Sequence, residues 1–237
     1  MRRSEAWLAR EVAVCRHLVA AGAPALSPSR DIDPGPHTRD GLVLSFWEFV
    51  GTAGALFDAH AAGQALRRCH TSLEDYIGEL ATWGVLDEVE AILRASSTAD
   101  ELGSDADVLW RIHERVRRDV AGLGLPLQPV HGDAHLFNVF SSPRGPLWAD
   151  WEDAFRGPIE WDLACLVASS RVFGTDAERV AAALAGYGAE IDESVLELLV
   201  EARVVQAAAW SVIVSREHPQ RRDRLEARLR WLRARTS

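Results

Sequence analysis

Two carboxylates and one amide stand at short spacing in the middle of the chain. Asp133 follows a His-Gly pair, Asn138 comes five residues later, and Asp150 twelve residues after that. Transfer of a phosphoryl group needs a carboxylate beside the attacking hydroxyl and oxygen ligands that hold Mg²⁺ against nucleotide phosphates. Carboxylate and amide oxygens are the ligands that Mg²⁺ prefers. The three side chains therefore predict a site for a metal ion and phosphate groups.

The residues between them predict a β-hairpin that would bring these side chains together. Short β-type runs at Val139-Phe140 and Leu147-Trp148-Ala149 flank the turn-forming residues 141–146. The loop with the first two polar side chains precedes the hairpin, and Asp150 lies at the end of its returning strand. We therefore expect the three oxygen-bearing side chains to converge at one end of the hairpin.

Other interpretations of this region are less specific. A His-Gly-Asp sequence alone is common and most often structural. His131, Asp133 and His135 alternate and could bind a metal from a strand, but no fourth soft ligand for zinc is nearby. The joint spacing of the first three polar residues with Asp162 is much harder to obtain by chance, and it favours phosphoryl transfer. Glu152 could assist a second metal or cap the helix that follows, and the sequence leaves both open.

The pattern as a whole reads H-G-D-x-x-x-x-N, then D-x-E, then G-P-x-x-x-D-L-A. It resembles the aminoglycoside phosphotransferase family, a branch of the protein-kinase-like fold. By that resemblance Asp133 is the catalytic base, Asn138 and Asp150 are Mg²⁺ ligands, His131 braces the catalytic loop, and Asp162 hydrogen-bonds its backbone. The implied cofactors are ATP or GTP with Mg²⁺, and the implied acceptor is a hydroxyl group of a small molecule.

The resemblance extends to the first fifty residues. The segment Phe46-Trp47-Glu48-Phe49-Val50 resembles the hinge between two lobes. The implied nucleotide-binding residues are Glu48, Phe49 and Val50, with the carbonyl of the first and the N–H of the last meeting the base. The first predicted helix resembles the one whose glutamate, here Glu11, pairs with a phosphate-binding lysine. Without the resemblance, Glu11 would be an ordinary solvated charge on a polar helix face.

These features predict an α+β, protein-kinase-like two-lobe fold with an incomplete N-terminal lobe and a mostly helical C-terminal lobe. Residues 1–50 are predicted to be a remnant of the nucleotide-binding lobe, and residues 51–237 the helical lobe that binds substrate.

Local patterns predict the elements within each lobe. An amphipathic helix at residues 6–20, with Ser4 as its N-cap, precedes a loop from Ser27 to Gly41 and a strand from Leu42 to Phe49. The remaining helices are predicted near residues 55–70, 73–95, 105–121, 160–171, 176–188, 192–215 and 219–235.

Part of the nucleotide-binding lobe is expected to be missing. Members of the family begin with a strand pair, a loop over the phosphates, and a third strand with a lysine that contacts them. These parts precede the helix that here starts near residue 5, and the chain contains no lysine. We therefore expect no phosphate clamp, through a start codon placed too far downstream, a degraded gene, or a genuinely non-catalytic form. The alternative function is a truncated, catalytically silent kinase-like binding module.

The same expectation affects association. The apolar run from Leu42 to Phe49 would lie at a sheet edge with unpaired backbone groups and exposed side chains. Exposed edges of this kind promote pairing with other chains. We therefore expect dimerisation through this edge, aggregation, or low stability.

The charge of the chain limits its partners. The net charge of −9 argues against a nucleic-acid partner and concentrates positive ligands. Residues 71–110 contain ten acidic side chains and one arginine. If part of that surface lines the cleft, it favours an amine-bearing acceptor such as an aminoglycoside. A solvated acidic helix surface is an equally good interpretation.

Other features predict a cytoplasmic protein without a membrane partner. The three scattered cysteines form no disulfide framework, which indicates a reducing compartment. Glu5, Arg10 and Glu11 interrupt any signal peptide. The longest apolar run, Val204–Val214, is interrupted by Gln206 and is too short to cross a bilayer.

Overall fold

The computed structural model describes residues 5–51 and 57–235. Within these residues the chain forms nine α-helices, three short 3₁₀ helices and six short strands. The helices are α1 (Glu5–Ala20), α2 (Ala59–Leu73), α3 (Gly84–Arg94), α4 (Ser96–Leu102), α5 (Ser104–Ala121), α6 (Ile159–Arg171), α7 (Ala177–Tyr187), α8 (Glu193–Glu217) and α9 (Arg222–Arg233). The strands are β1 (His37–Arg39), β2 (Leu42–Leu44), β3 (Gln128–Val130), β4 (Val139–Ser142), β5 (Gly145–Trp148) and β6 (Phe155–Gly157).

The described strands form three antiparallel pairs, β1–β2, β3–β6 and β4–β5. The predicted hairpin is confirmed as β4–β5, in which Val139 lies opposite Trp148. The sequence does not predict β3 and β6, which pair Val130 with Phe155. Because β3 ends just before His131 and β6 begins at Phe155, this pair brings together the two ends of the segment 131–154, which contains the predicted site.

Helix α8 is the centre of the helical part of the chain. Most of its residues from Leu199 to Ser215 are buried, and α3, α5, α6 and α9 pack against it. It is long and apolar enough to cross a membrane by length and composition, but 78% of its most apolar window is buried inside the protein. Such burial is typical of a core helix, whose position fixes the helices around it.

The N-terminal residues share the core of the helical part. Buried side chains of α1 belong to the same hydrophobic cluster as the hairpin, namely Val14, Cys15 and Leu18. Trp148 N–H donates to the Pro24 carbonyl (2.9 Å), and Leu26 N–H donates to the Trp148 carbonyl (2.8 Å). Helix α1 also packs against the 3₁₀ turn of residues 151–153. The first helix is thus attached to the far end of the hairpin, and the division at residue 50 remains a prediction.

The predicted strand from Leu42 to Phe49 is shorter in the structure. Only β2 is a strand, and its partner β1 lies inside the predicted loop. Further along, Phe46 N–H donates to the Pro34 carbonyl (3.0 Å) and Glu48 N–H donates to the Ser27 carbonyl (2.9 Å). The preceding loop thus supplies backbone partners that the sequence analysis expects to be absent. Association through this edge remains a prediction, since the leucines of β2 are exposed.

The predicted helix near residues 73–95 is wrong in its first half, where residues 74–83 separate α2 from α3. This segment bonds to β6 instead, because Arg156 N–H donates to the Ala81 carbonyl (2.9 Å) and Trp83 N–H donates to the Arg156 carbonyl (3.0 Å). Pairing with a segment distant in sequence therefore replaces the local helical hydrogen bonds that the periodicity predicts.

The other predicted helices agree with the structure to within a few residues, whereas α4 (Ser96–Leu102) is not predicted. Helix α2 begins after Asp58, whose carboxylate accepts from His60 N–H at 2.9 Å and acts as the N-cap. Ser4, the predicted N-cap of α1, lies outside the described residues, as do the first two residues of the predicted 55–70 helix.

Candidate active site

The loop of residues 131–138 is anchored by a carboxylate from α6. Asp162 is fully buried and accepts hydrogen bonds from the backbone N–H groups of His131 (2.7 Å) and Gly132 (2.9 Å). His70 Nε2 lies 2.8 Å from the same carboxylate. Because unpaired buried backbone donors are costly, Asp162 fixes where the loop begins.

Gly132 lets this loop pass close to the 3₁₀ turn after the hairpin. Its φ of +87° lies in the left-handed region. A Cβ atom at this position would lie 2.1 Å from the carbonyl oxygen of Asp153. Trp161 Nε1–H donates to the Gly132 carbonyl at 2.9 Å. The loop and the turn therefore touch through their backbones, which only glycine permits here.

His131 holds the loop against the hairpin. Its ring is fully buried and its centroid lies 4.5 Å from that of Trp151 and 5.4 Å from that of Trp148. Nε2 donates to the Ala149 carbonyl (2.9 Å), and Nδ1 accepts from Asp133 N–H (3.3 Å). Burial lowers the pKa of His131, which agrees with a neutral ring protonated on Nε2. The geometry makes His131 a positioning residue for Asp133.

Asn138 and Asp150 lie at the same end of the hairpin. Asn138 Nδ2 donates to the Asp133 carbonyl (3.0 Å), and the Asn138 carbonyl accepts from Ala149 N–H (2.9 Å). Asp150 follows directly, with φ 65° and ψ 52°. A left-handed backbone is uncommon at non-glycine residues, and such strain clusters at functional sites. The structure thus brings both predicted metal ligands next to the loop of Asp133.

Asp133 contacts an arginine that the sequence analysis does not single out. Arg203 of α8 forms an ion pair with Asp133 Oδ1, and His135 Nε2 lies 3.4 Å from Oδ2. Burial raises the pKa of Asp133, but Arg203 and His135 outweigh this effect and hold the pKa well below its usual range. Asp133 is therefore ionised at neutral pH, which is the state that a base requires.

A cavity of about 950 Å³ opens beside Asp133, between the loop, the turn and helices α8 and α9. We call it the α8–α9 cavity. Of the predicted site residues in the described part of the chain, Asp133 and Glu152 line it, whereas Asn138, Asp150 and the predicted hinge do not. Four aromatic side chains contribute to its walls, namely Trp7, Phe137, Phe173 and Trp210. The cavity therefore offers space for a small molecule beside Asp133.

Residues 2–199 of the chain match the protein-family profile of the phosphotransferase enzyme family. The chain belongs to this family. A search of the curated proteins finds no match.

Solved structures share the fold of this phosphotransferase. A choline/ethanolamine kinase family protein from Mesorhizobium loti is 18% identical, with a TM-score of 0.64 over 95% of this chain and 77% of that one. Amicoumacin kinase in complex with AMP-PNP, Ca²⁺ and Ami is 15% identical, with a TM-score of 0.71 over 99% and 79%. The microcompartment-associated aminopropanol kinase is 17% identical, with a TM-score of 0.68 over 95% and 79%. The predicted kinase-like α+β fold with a helical C-terminal lobe is confirmed.

A further carboxylate of the phosphotransferase, Asp153, lines the cavity beside Glu152. Burial raises the pKa of Asp153 to about 7, and the charges of Asp133 and Glu88 add to the effect. The sequence analysis does not identify this residue. The position of Asp153 in the sequence does not distinguish it from a surface carboxylate, because its raised pKa results from burial beside other carboxylates.

Two glutamates that the sequence analysis discusses are buried in the structure. Glu11 is only 7% exposed, so it is not a solvated charge, and its helix packs against the turn that contains Glu152. Glu152 is also buried. Helix α6 begins after Pro158 without a side-chain cap at that residue, and both interpretations of Glu152 remain predictions.

The predicted hinge has no contact with the α8–α9 cavity. The Glu48 carboxylate pairs with Arg30 Nε at 3.1 Å, Phe49 is 96% exposed, and Val50 is partly buried. The lysine that would pair with Glu11 in the family pattern does not occur in the chain. The nucleotide-binding roles of these residues therefore remain predictions.

The acidic stretch of residues 71–110 does not line the cavity. Several of its carboxylates pair with arginines, as in Glu90–Arg94, Glu101–Arg216 and Asp105–Arg233. Glu88 accepts a hydrogen bond from Nε1–H of Trp210, which lines the cavity, at 3.0 Å, and its charge also acts on Asp153 in the cavity wall. The structure supports the interpretation of this stretch as a helix surface, and an amine-bearing acceptor remains a prediction that the lining of this cavity does not support.

Proposed function

We propose that this phosphotransferase moves the γ-phosphate of a nucleoside triphosphate to a hydroxyl group of a small molecule in the α8–α9 cavity. The observation that carries the proposal is the state of Asp133, an ionised carboxylate on a braced loop, facing a cavity of about 950 Å³. Cavities of this size bind small molecules. The acceptor is therefore a small molecule rather than a protein surface.

Asp133 orients the acceptor hydroxyl and takes its proton as the oxygen attacks phosphorus. Its low pKa makes it a weak base, so its main contribution is orientation, which dominates catalysis of phosphoryl transfer. Asp162 and His131 serve this role by fixing the loop on both sides of Gly132.

Asn138 and Asp150 are the candidate Mg²⁺ ligands. They offer an amide and a carboxylate oxygen at one end of the hairpin, and Mg²⁺ is usually held by one or two protein carboxylates together with phosphates and water. In residues 5–51 and 57–235 no group of three or more His, Cys, Asp or Glu side chains could hold a metal ion. The two ligands therefore fit an ion shared with the nucleotide. When bound, it neutralises charge on the transferred phosphate.

Calorimetric titration with Mg-ATP and with Mg-GTP, followed by a phosphate-transfer assay on hydroxyl compounds, tests the proposal. Asp133→Asn is expected to lower turnover by about 10²–10⁴ while nucleotide affinity stays near wild type. Asp150→Asn is expected to weaken Mg²⁺-dependent nucleotide binding. Asp107→Asn, on the exposed face of α5, is the matched control. Near-normal turnover of Asp133→Asn would contradict the role of this residue.

The second candidate function is a catalytically silent binding module, the alternative that the sequence analysis leaves open. It predicts that the wild-type protein binds no Mg-nucleotide and phosphorylates no acceptor. The same titration separates the two candidates, because a measurable Mg²⁺-dependent affinity for either nucleotide excludes the silent module.

A further inference from the structure

The two sides of the α8–α9 cavity carry opposite charge. The catalytic wall consists of Asp133, Glu152 and Asp153, and the arginine wall consists of Arg203, Arg224 and Arg228 of α8 and α9. Two further acids, Glu217 and Asp223, also line the cavity, but both are exposed to solvent. The buried part of the arginine wall therefore determines what can bind at that end.

Arg228 is partly buried and bonds only to neutral groups in the described part of the chain. Its Nη1 donates to the Ala207 carbonyl (2.9 Å) and to the Ser211 hydroxyl. No carboxylate of the described residues lies within ion-pair distance of Arg228. Burial and the charges of Arg203 and Arg224 lower the pKa of Arg228 to about 10. A guanidinium held away from water beside like charges is a site that an anion would stabilise.

Arg203 adds a second positive charge at the same place. The guanidinium carbons of Arg203 and Arg228 lie 5.9 and 4.7 Å from the centroid of the Phe173 ring. Arg203 pairs with Asp133, and its Nε is buried without a hydrogen-bond partner among the described residues. Of the two arginines, Arg203 pairs with Asp133 whereas Arg228 has no carboxylate partner, and one buried donor of Arg203 has no acceptor in the described part of the chain.

We propose that the acceptor carries an anionic group, a carboxylate or a phosphate, which Arg228 and Arg203 bind while its hydroxyl group faces Asp133. This inference rests on the proposed function and replaces the amine-bearing acceptor that the acidic stretch suggested. Guanidinium groups match carboxylate and phosphate oxygens with paired hydrogen bonds. Because both arginines contact one ring and Arg203 also contacts Asp133, the anion and the reacting hydroxyl belong to one compact molecule, such as a hydroxy acid or a phosphorylated polyol.

Four compounds that differ in one group test the inference. Glycerate, glyceramide, 3-amino-1,2-propanediol and glycerol 3-phosphate share two hydroxyl groups and carry a carboxylate, a neutral amide, an amine and a phosphate. Calorimetry on the wild-type protein is expected to show at least roughly tenfold tighter binding of one anionic compound than of the amide. Comparison of the affinities for glycerate and glycerol 3-phosphate identifies which anion is preferred. Equal or tighter binding of the amide or the amine would overturn the inference.

Variants of α9 locate the effect. Arg228→Gln is expected to abolish the preference for the anion, and Arg228→Lys to retain part of it. Arg230→Gln is the matched control, because Arg230 is exposed on the same helix and does not line the cavity. Melting temperatures of all three variants show whether they fold. A folded Arg228→Gln protein that keeps the full preference would contradict the role of Arg228.

The outcomes separate this inference from the proposed function. Arg228-dependent anion binding without Mg-nucleotide binding would support the anion site and contradict phosphate transfer. Phosphorylation of the amide or the amine as fast as of the anions would support phosphate transfer and contradict the anion site.

Discussion

The two walls of the α8–α9 cavity are built in different ways. In the catalytic wall, Asp133 stands on a loop whose backbone is bonded to Asp162 and His131, both fully buried. In the arginine wall, Arg203 and Arg228 are long side chains whose partners are one carboxylate and a few neutral groups. The first wall fixes the position of a reacting group, whereas the second leaves charge available for a ligand. The difference indicates that the catalytic wall sets the position of the reacting group, whereas the arginine wall selects the acceptor.

The largest expected effect comes from removing Asp162, which anchors the loop of the catalytic wall. Asp162→Ala leaves the N–H groups of His131 and Gly132 and the His70 ring without their acceptor, which is expected to cost about 3 kcal/mol or more of unfolding free energy. Urea denaturation measures the loss. Glu160→Ala, on the first turn of the same helix, is the control and is expected to change stability by about 0.5 kcal/mol at most. Equal stability of both variants would show that the loop does not depend on this anchor.

The next effect tests the close approach between the loop and the turn. Gly132→Ala combines a positive φ with a Cβ atom 2.1 Å from the Asp153 carbonyl oxygen, whereas Gly174 has a similar φ of +83° and open space around it. Gly174→Ala is expected to cost about 1 kcal/mol, and Gly132→Ala at least about 2 kcal/mol more, because its backbone neighbours must move. Thermal unfolding of both variants measures the difference. Similar melting temperatures would mean that the loop and the turn are not in rigid contact.

A smaller effect, dependent on pH, tests the charge of the catalytic wall. The folded-state pKa of Asp153 is about 7, above its ordinary value of 3.8. Protonation of Asp153 therefore stabilises the folded protein fully below about pH 4, and this stabilisation is lost as the pH rises through 7. Asp153→Asn is expected to gain about 2 to 3 kcal/mol relative to wild type between pH 5 and pH 8.

Unfolding of the ligand-free protein at the two pH values measures this gain, with Asp107→Asn as the control. A gain for Asp153→Asn that is the same at both pH values would place its pKa near the ordinary value, and would indicate that the catalytic wall is more open to water than its burial suggests.

The smallest effect concerns the contact that joins the two walls. Arg203 holds the pKa of Asp133 below its usual range, so Arg203→Gln is expected to move the acidic limb of the pH profile of kcat/KM upward by about one pH unit or more. Arg203→Lys keeps the charge and is expected to shift the limb less. The position of the limb is informative because a uniform loss of acceptor affinity lowers the profile without moving it. An unchanged acidic limb in Arg203→Gln would mean that the charge of Arg203 does not affect the pKa of Asp133.

The structure agrees best with the sequence where the relevant interactions are local. The hairpin was predicted because its turn and both strands lie within residues 139–149, and its structure agrees. The helix proposed over residues 73–95 failed at Ala81 and Trp83, because these residues bond to Arg156, far along the chain. The β3–β6 pair was missed for the same reason, since each strand is short and has a partner outside any local window.

The sequence by itself determined the chemical groups of the site and their order, because the loop and the hairpin place Asp133, Asn138 and Asp150 together through neighbouring residues. Only the tertiary structure decided the charge state of Asp133 and the positive charge that Arg203 and Arg228 bring to the other side of the cavity. The physical reason is that pKa values and ion pairs depend on burial and on charges brought close by packing. Helix α8 delivers Arg203 to Asp133 across seventy residues of chain, and no spacing rule in the sequence contains that contact.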